Sequence, residues 1–159
     1  MSSSHLELRA GSLRLALRPD LGGCIAGLWL GALPVLRSVE PDQLQASRPS
    51  GCYPLVPYSN RLGYRRFRWL GQDHTTAQNF DDSPHSLHGV GWTRPWAVVS
   101  ATASEAELQY THQPDAHWPF AFNVKQRFVL TPAALEVHLV FNNTAAAPQP
   151  VGLDRKSVV

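Results

Sequence analysis

Phe122-Asn123-Val124-Lys125-Gln126-Arg127-Phe128-Val129-Leu130-Thr131-Pro132-Ala133-Ala134-Leu135-Glu136-Val137-His138-Leu139-Val140-Phe141 is the stretch that decides the fold. Phe122, Val124, Phe128 and Leu130 share one parity, as do Leu135, Val137, Leu139 and Phe141 beyond a short connection. Side chains alternate across a strand with period two, so each run places its large apolar groups on one face. Lys125, Arg127, Glu136 and His138 take the other. Between the runs, Pro132 fits a turn position that needs φ near −65°. The reading is an antiparallel β-hairpin with Phe128 and Val137 facing inward.

The same period extends toward the N-terminus. Leu13, Leu15 and Leu17 alternate with Arg14 and Arg18, which predicts a half-buried strand. Gly22-Gly23 breaks the pattern, and Ile25, Leu28, Trp29 and Leu30 form a second apolar segment closed by Gly31 and Pro34. From Glu40 to Gly51 the pattern fades into polar residues and prolines, the mark of a surface loop. Trp96–Ser100 and Glu107–Thr111 read as further strands. No long amphipathic helix and no internal repeat interrupts this order. Many short strands at regular spacing predict an all-β sandwich or barrel, architectures that often take about 200 residues or more as one unit. The chain has 159 residues and is short for such a fold.

Composition narrows the function classes. Fourteen Lys and Arg against twelve Asp and Glu leave a formal charge of +2, too little to require nucleic acid or an anionic membrane as partner. No stretch approaches the roughly 20 apolar residues of a membrane-spanning helix, and the start Met1-Ser2-Ser3-Ser4-His5 lacks a basic region followed by an apolar run. The expected location is the cytoplasm. Its reducing conditions favour free, buried thiols at Cys24 and Cys52, which form no C-x-x-C.

Chemistry-bearing residues gather between Cys52 and Trp96. Gly51-Cys52-Tyr53-Pro54-Leu55-Val56-Pro57-Tyr58-Ser59-Asn60-Arg61 has no strand period and reads as a rigid loop that places side chains. Arg61 offers a planar fork of donors suited to paired hydroxyls, and Asn60 can both donate and accept. In Asn79–Trp96, His88 precedes Gly89, a residue that lets another group approach closely, while Trp92 and Trp96 provide flat apolar faces. A metal site built from His85, His88 and Asp81 or Asp82 is disfavoured, because Pro84 breaks helical spacing and a fourth ligand is lacking. The arginines of Arg61–Trp69 alternate with aromatic residues, yet they read as the solvated side of a strand rather than a nucleic-acid surface.

Pro54–Arg61, Phe67-Arg68-Trp69-Leu70-Gly71, Leu87-His88-Gly89 and Trp92-Thr93-Arg94-Pro95-Trp96 together resemble, in order and spacing, the galactose mutarotase-like aldose 1-epimerase family. Trp118-Pro119-Phe120 and the hairpin ending at Asn142-Asn143 extend the resemblance to Leu153. It implies a galactose mutarotase-like β-sandwich, incomplete here, that interconverts the α and β anomers of aldohexoses without a cofactor. Asn60 and Arg61 match the family's sugar-binding pair, and His88 its first active-site histidine. The second histidine and the catalytic glutamate belong to a later half. On this reading residues 1–153 are the N-terminal part of the sandwich and 154–159 an unrelated short tail. The implied partner is a small-molecule sugar such as galactose or glucose, with self-association through unpaired edges; a non-catalytic carbohydrate-binding module is the alternative.

Overall fold

The computed structural model of the chain describes residues 5–158. Strands β1 (Leu6–Ala10), β2 (Leu13–Arg18) and β3 (Cys24–Leu30) form an antiparallel meander, and the short β4 (Leu33–Pro34) returns along β3. After a loop containing a 3-10 turn at Pro41–Gln43, β5 (Cys52–Leu55) pairs with β3 on its far side. Two small ladders follow. One joins β6 (Arg61–Leu62) to β9 (Ser86–Leu87), and the other joins β7 (Arg66–Trp69) to β8 (Gln72–Thr75). The second large sheet is the meander β10 (Ala97–Ala101), β11 (Glu105–His112), β12 (Phe122–Leu130) and β13 (Leu135–Asn143). Finally β14 (Asp154–Ser157) pairs antiparallel with β5, so the segment set apart in the sequence supplies an edge strand of the first sheet.

The two large sheets enclose one core. Leu8, Leu15, Leu17 and Ile25 from the first meet Leu108, Phe122, Val124 and Phe128 from the second, all at most 1% exposed. The hairpin has the expected register, with Phe128 opposite Val137 and the two strands antiparallel throughout. Its turn is fixed by the Thr131 hydroxyl, which accepts from the Ala134 N–H at 3.0 Å. Phe128 is fully buried, whereas the inward residues Leu135, Val137, Leu139 and Phe141 are only partly covered because β13 is the edge of its sheet.

The first sheet departs from expectation on its outer face. β2 is buried on both sides rather than one, and Arg18 is 8% exposed. The reason is the loop 40–50, which folds back over the sheet. Leu44 joins Ala16, Cys24, Trp29, Tyr53 and Trp92 in a second apolar cluster. Arg18 is tolerated there because its guanidinium is fully paired: Asp20 accepts from Nε at 2.8 Å and from Nη2 at 2.7 Å, and the carbonyls of Pro41 and Leu44 accept from Nη1. A buried cation with all three nitrogens hydrogen-bonded costs far less than a bare one. The loop read as surface is therefore a lid on the sheet. Cys24 and Cys52 are both free and buried, as expected, and burial pushes the Cys24 thiol up to about 11. In β7, Arg66 and Arg68 face outward and Phe67 and Trp69 inward, the solvated-strand pattern expected of that stretch. No helix among the described residues is long and apolar enough to cross a membrane.

Phe128→Ala is expected to cost about 3–5 kcal/mol in urea-induced unfolding, the usual range for emptying a buried aromatic site. Val140→Ala, at a position 59% exposed, should stay within about 0.5 kcal/mol.

Candidate functional site

The site begins with the two-residue ladder between β6 and β9. Arg61 pairs with Leu87, so the residues flanking each strand meet: the His88 N–H donates to the Asn60 carbonyl at 2.8 Å. Asn60 and His88 both have positive φ, 57° and 59°, which aims their side chains away from the regular strand direction. Asn60, Arg61 and His88 thereby line one cavity of about 650 Å³, together with Ser59, Tyr53 and Phe80. That volume lies within the range of small-molecule sites. The three residues singled out from sequence converge on one concave surface.

The His88 segment is held by backbone and by one side chain. Gly89, at φ 70°, passes so close to the preceding loop that a Cβ would lie 2.2 Å from the Val56 carbonyl oxygen. The same oxygen accepts from the N–H groups of Val90 at 2.8 Å and Gly91 at 3.0 Å. The close approach foreseen at Gly89 is thus made by Val56 of the neighbouring loop. Asn79 clamps the turn from the other side: its amide donates to the Leu87 carbonyl at 2.8 Å and the Gly89 carbonyl at 3.0 Å, and accepts from the Leu87 N–H at 2.8 Å. Trp92 donates its indole N–H to the Leu87 and Gly89 carbonyls and stacks on Tyr53, with ring centroids 5.8 Å apart. Tyr53 and Trp92 both meet the His88 ring edge-on.

His88 is half-buried, and its Nδ1 has no hydrogen-bond partner among the described residues. Burial, followed by the nearby charges of Lys156 and Arg61, pulls its pKa down to about 4. At neutral pH the ring is uncharged, with one N–H donor and one acceptor nitrogen. Arg61 is exposed, and among the described residues its guanidinium hydrogen-bonds only to the Asn60 side-chain oxygen, at 3.3 Å. It is free to turn toward a ligand.

Other residues of the motifs serve the scaffold. His85 accepts from the Tyr64 N–H at 2.8 Å, away from His88. Among the described residues no group of three His, Cys, Asp or Glu side chains is placed to hold a metal ion. The Trp96 indole N–H donates to the Gly91 carbonyl at 2.8 Å inside the core. Trp118 packs on Phe67 at 5.2 Å and Tyr58 at 5.5 Å. A second buried histidine, His112, lies outside the cavity. Its Nε2 donates to the Trp118 carbonyl at 2.9 Å, which leaves Nδ1 to accept from the Tyr110 hydroxyl at 3.0 Å, and burial also lowers its pKa.

Arg37, Arg48 and the β14 residues Asp154, Arg155 and Lys156 complete the cavity wall. Sequence reading did not pick them out, because loop and edge residues carry no period.

The all-β sandwich that carries this cleft has the galactose mutarotase-like fold. The sequence model of the aldose 1-epimerase family matches residues 4–153, and the chain belongs to that family. It is 34% identical over 145 residues to the uncharacterized protein YphB of Escherichia coli K12, covering 91% of this chain and 48% of that protein. It superposes with a TM-score of 0.86 and 32% identity on the crystal structure of an E. coli K12 protein provisionally assigned as an aldose 1-epimerase, over 95% of this chain and 50% of the other. A galactose mutarotase-like protein from Clostridium acetobutylicum shares the fold at 20% identity and a TM-score of 0.83. The chain spans about half the length of the relatives it matches.

Two measurements check this account. Asn79→Ala removes one acceptor and two donated bonds at the turn and should cost about 1–3 kcal/mol in urea unfolding, the range for stranding buried partners. As pH falls from about 6.5 toward 4, stability should fall too. The unfolded chain takes up protons on histidine in that window, whereas the folded chain holds His88 neutral down to about 4. His88→Gln should flatten that dependence without removing it, since His112 contributes in the same direction.

Proposed function

We propose that this chain binds an aldohexose in the cavity formed by Asn60, Arg61 and His88, as the N-terminal half of a mutarotase, and that it catalyses anomer interconversion weakly or not at all. The observation that supports it is the convergence of these three side chains on one cavity from two loops that the β6–β9 ladder ties together. Arg61 would meet adjacent hydroxyls with two parallel N–H donors, and Asn60 would answer either polarity of a third. His88 would hydrogen-bond the sugar near its ring oxygen. A neutral imidazole suits that place, since it can donate to the oxygen on which charge develops when the ring opens.

Mutarotation needs two proton transfers. A base takes the proton of the anomeric hydroxyl, an acid protonates the ring oxygen, the C1–C2 bond rotates, and closure with the roles reversed gives the other anomer. His88 answers one of these at most. Among the described residues no glutamate lines the cavity, and the one carboxylate side chain there is Asp154, which follows the segment that the family model matches. Each positioned acid or base contributes about a hundredfold to ten-thousandfold, so the deficit is several powers of ten. The second reading is a carbohydrate-binding module without catalysis, for which the hydrogen-bonding groups of Asn60 and Arg61 on the cavity wall would suffice.

Both parts are tested on the 159-residue chain. Galactose and glucose are expected to shift amide resonances around His88 and Leu87, and His88→Ala or Arg61→Ala to abolish those shifts. Polarimetry of freshly dissolved α-glucose should show little acceleration over buffer. Anomerisation as fast as that of a full-length family member, abolished by His88→Ala, would place a competent base within this chain and refute the weak-activity proposal.

A further inference from the structure

The cavity is far more basic than the chain that contains it. Arg37, Arg48, Arg61, Arg155 and Lys156 line it against a single carboxylate, Asp154. Five cations less one anion leave a local balance of +4, whereas the whole chain carries +2. Like charges gathered in a concave wall repel one another and focus the field into the space between them.

Two of the five are spent on structure. Arg37 donates to the carbonyls of Arg48 at 2.6 Å and Ser50 at 2.8 Å, and Arg155 reaches inward to Gln126 and, at 3.3 Å, to the Cys52 sulfur. The other three lack a strong counter-charge. Among the described residues Arg61 and Lys156 have no carboxylate partner, and Arg48 meets only Asp81, at 3.6 Å with both side chains more than half exposed, a pairing worth little in water. Arg48 is nevertheless held in place. Arg37 grips the carbonyl of Arg48 itself, and Gly51 packs so tightly on the Arg37 carbonyl that a Cβ would sit 2.3 Å from it. The Arg48 guanidinium lies 4.6 Å from the centre of the Phe80 ring, on the cavity wall. A planar cation fixed on an aromatic face keeps its edge donors free for an acceptor in the ring plane.

We propose that the ligand of this cavity is an aldose bearing an anionic substituent, a carboxylate or a phosphate, which Arg48 meets with Arg61 and Lys156 around it. The inference rests on the sugar-pocket reading and adds the charge class of the sugar. Neutral hexoses would need only the hydroxyl-directed groups at Asn60, Arg61 and His88. A further cation in the same cavity, resting on Phe80 with no strong partner of its own, has a use if charge arrives with the ligand.

The test compares glucose, glucuronate, glucose 6-phosphate and inorganic phosphate by chemical-shift titration of the 159-residue chain at low and high salt. At least one anionic sugar should bind ten times or more tighter than glucose at low ionic strength, with the advantage shrinking in 0.5 M NaCl. Which of the two binds tighter distinguishes carboxylate from phosphate. Arg48→Ala should bring the ratio of anionic to neutral affinity near one, and Arg48→Lys, which keeps the charge, should retain most of it. Equal affinities for glucose and both anionic sugars, or inorganic phosphate binding as tightly as glucose 6-phosphate, would overturn the proposal while leaving the sugar pocket standing. Failure of every sugar to bind would overturn both.

Discussion

The Val56 carbonyl oxygen is the atom on which the site depends. It accepts from Val90 and Gly91 and sits where a side chain on residue 89 would have to be. Two loops separated by some thirty residues are thereby brought within backbone hydrogen-bonding distance, and the ladder from Arg61 to Leu87 continues that contact up to His88. Glycine suits position 89 in this geometry because a Cβ would collide with the Val56 carbonyl oxygen, and the positive φ adds strain for any side chain. The His88 imidazole is therefore placed by main chain first, then by Asn79 and Trp92, and only last by its own side-chain contacts.

Around that contact the polar groups divide by function. Buried ones with complete partnerships, such as Arg18 with Asp20 and two carbonyls, or His112 between Tyr110 and the Trp118 carbonyl, hold loops to sheets. The Arg61 guanidinium, hydrogen-bonded among the described residues only to the Asn60 side chain, lines the cavity and keeps donors for a ligand, whereas Nδ1 of His88 is buried without a partner among those residues. An unpartnered buried polar atom costs free energy in the folded chain.

Strand parity made the hairpin legible down to its register, because Phe128 and Val137 sit in runs where both faces are unambiguous. The core between the sheets followed from the same rule. Parity failed at Arg18 and Leu44. A strand's second face is decided by whatever the chain later lays on it, and the polar loop 40–50 gave no sign that Leu44 would turn back onto the sheet. In the site, Asn60, Arg61 and His88 were readable through their motifs, and family membership rests on the match over 4–153. Arg48 and Phe80 were not, since a cation resting on a ring far along the chain leaves no trace in local sequence. The Asn79 clamp was equally silent: an asparagine before Phe80 looks like any turn residue until its three partners are in place.

The pairing of β14 with β5 joins residues about a hundred positions apart, and β14 has a neighbour on one side only. Closing so long a loop for a four-residue ladder returns few contacts for the entropy lost. Edge elements of this kind exchange their amide hydrogens through local opening, at free energies well below that of global unfolding. Because β14 carries part of the cavity wall, local opening of the strand would open the cavity with it. A ligand that touches β14 would slow that exchange, and amide protection at Arg155 and Lys156 would then register occupancy of the cavity.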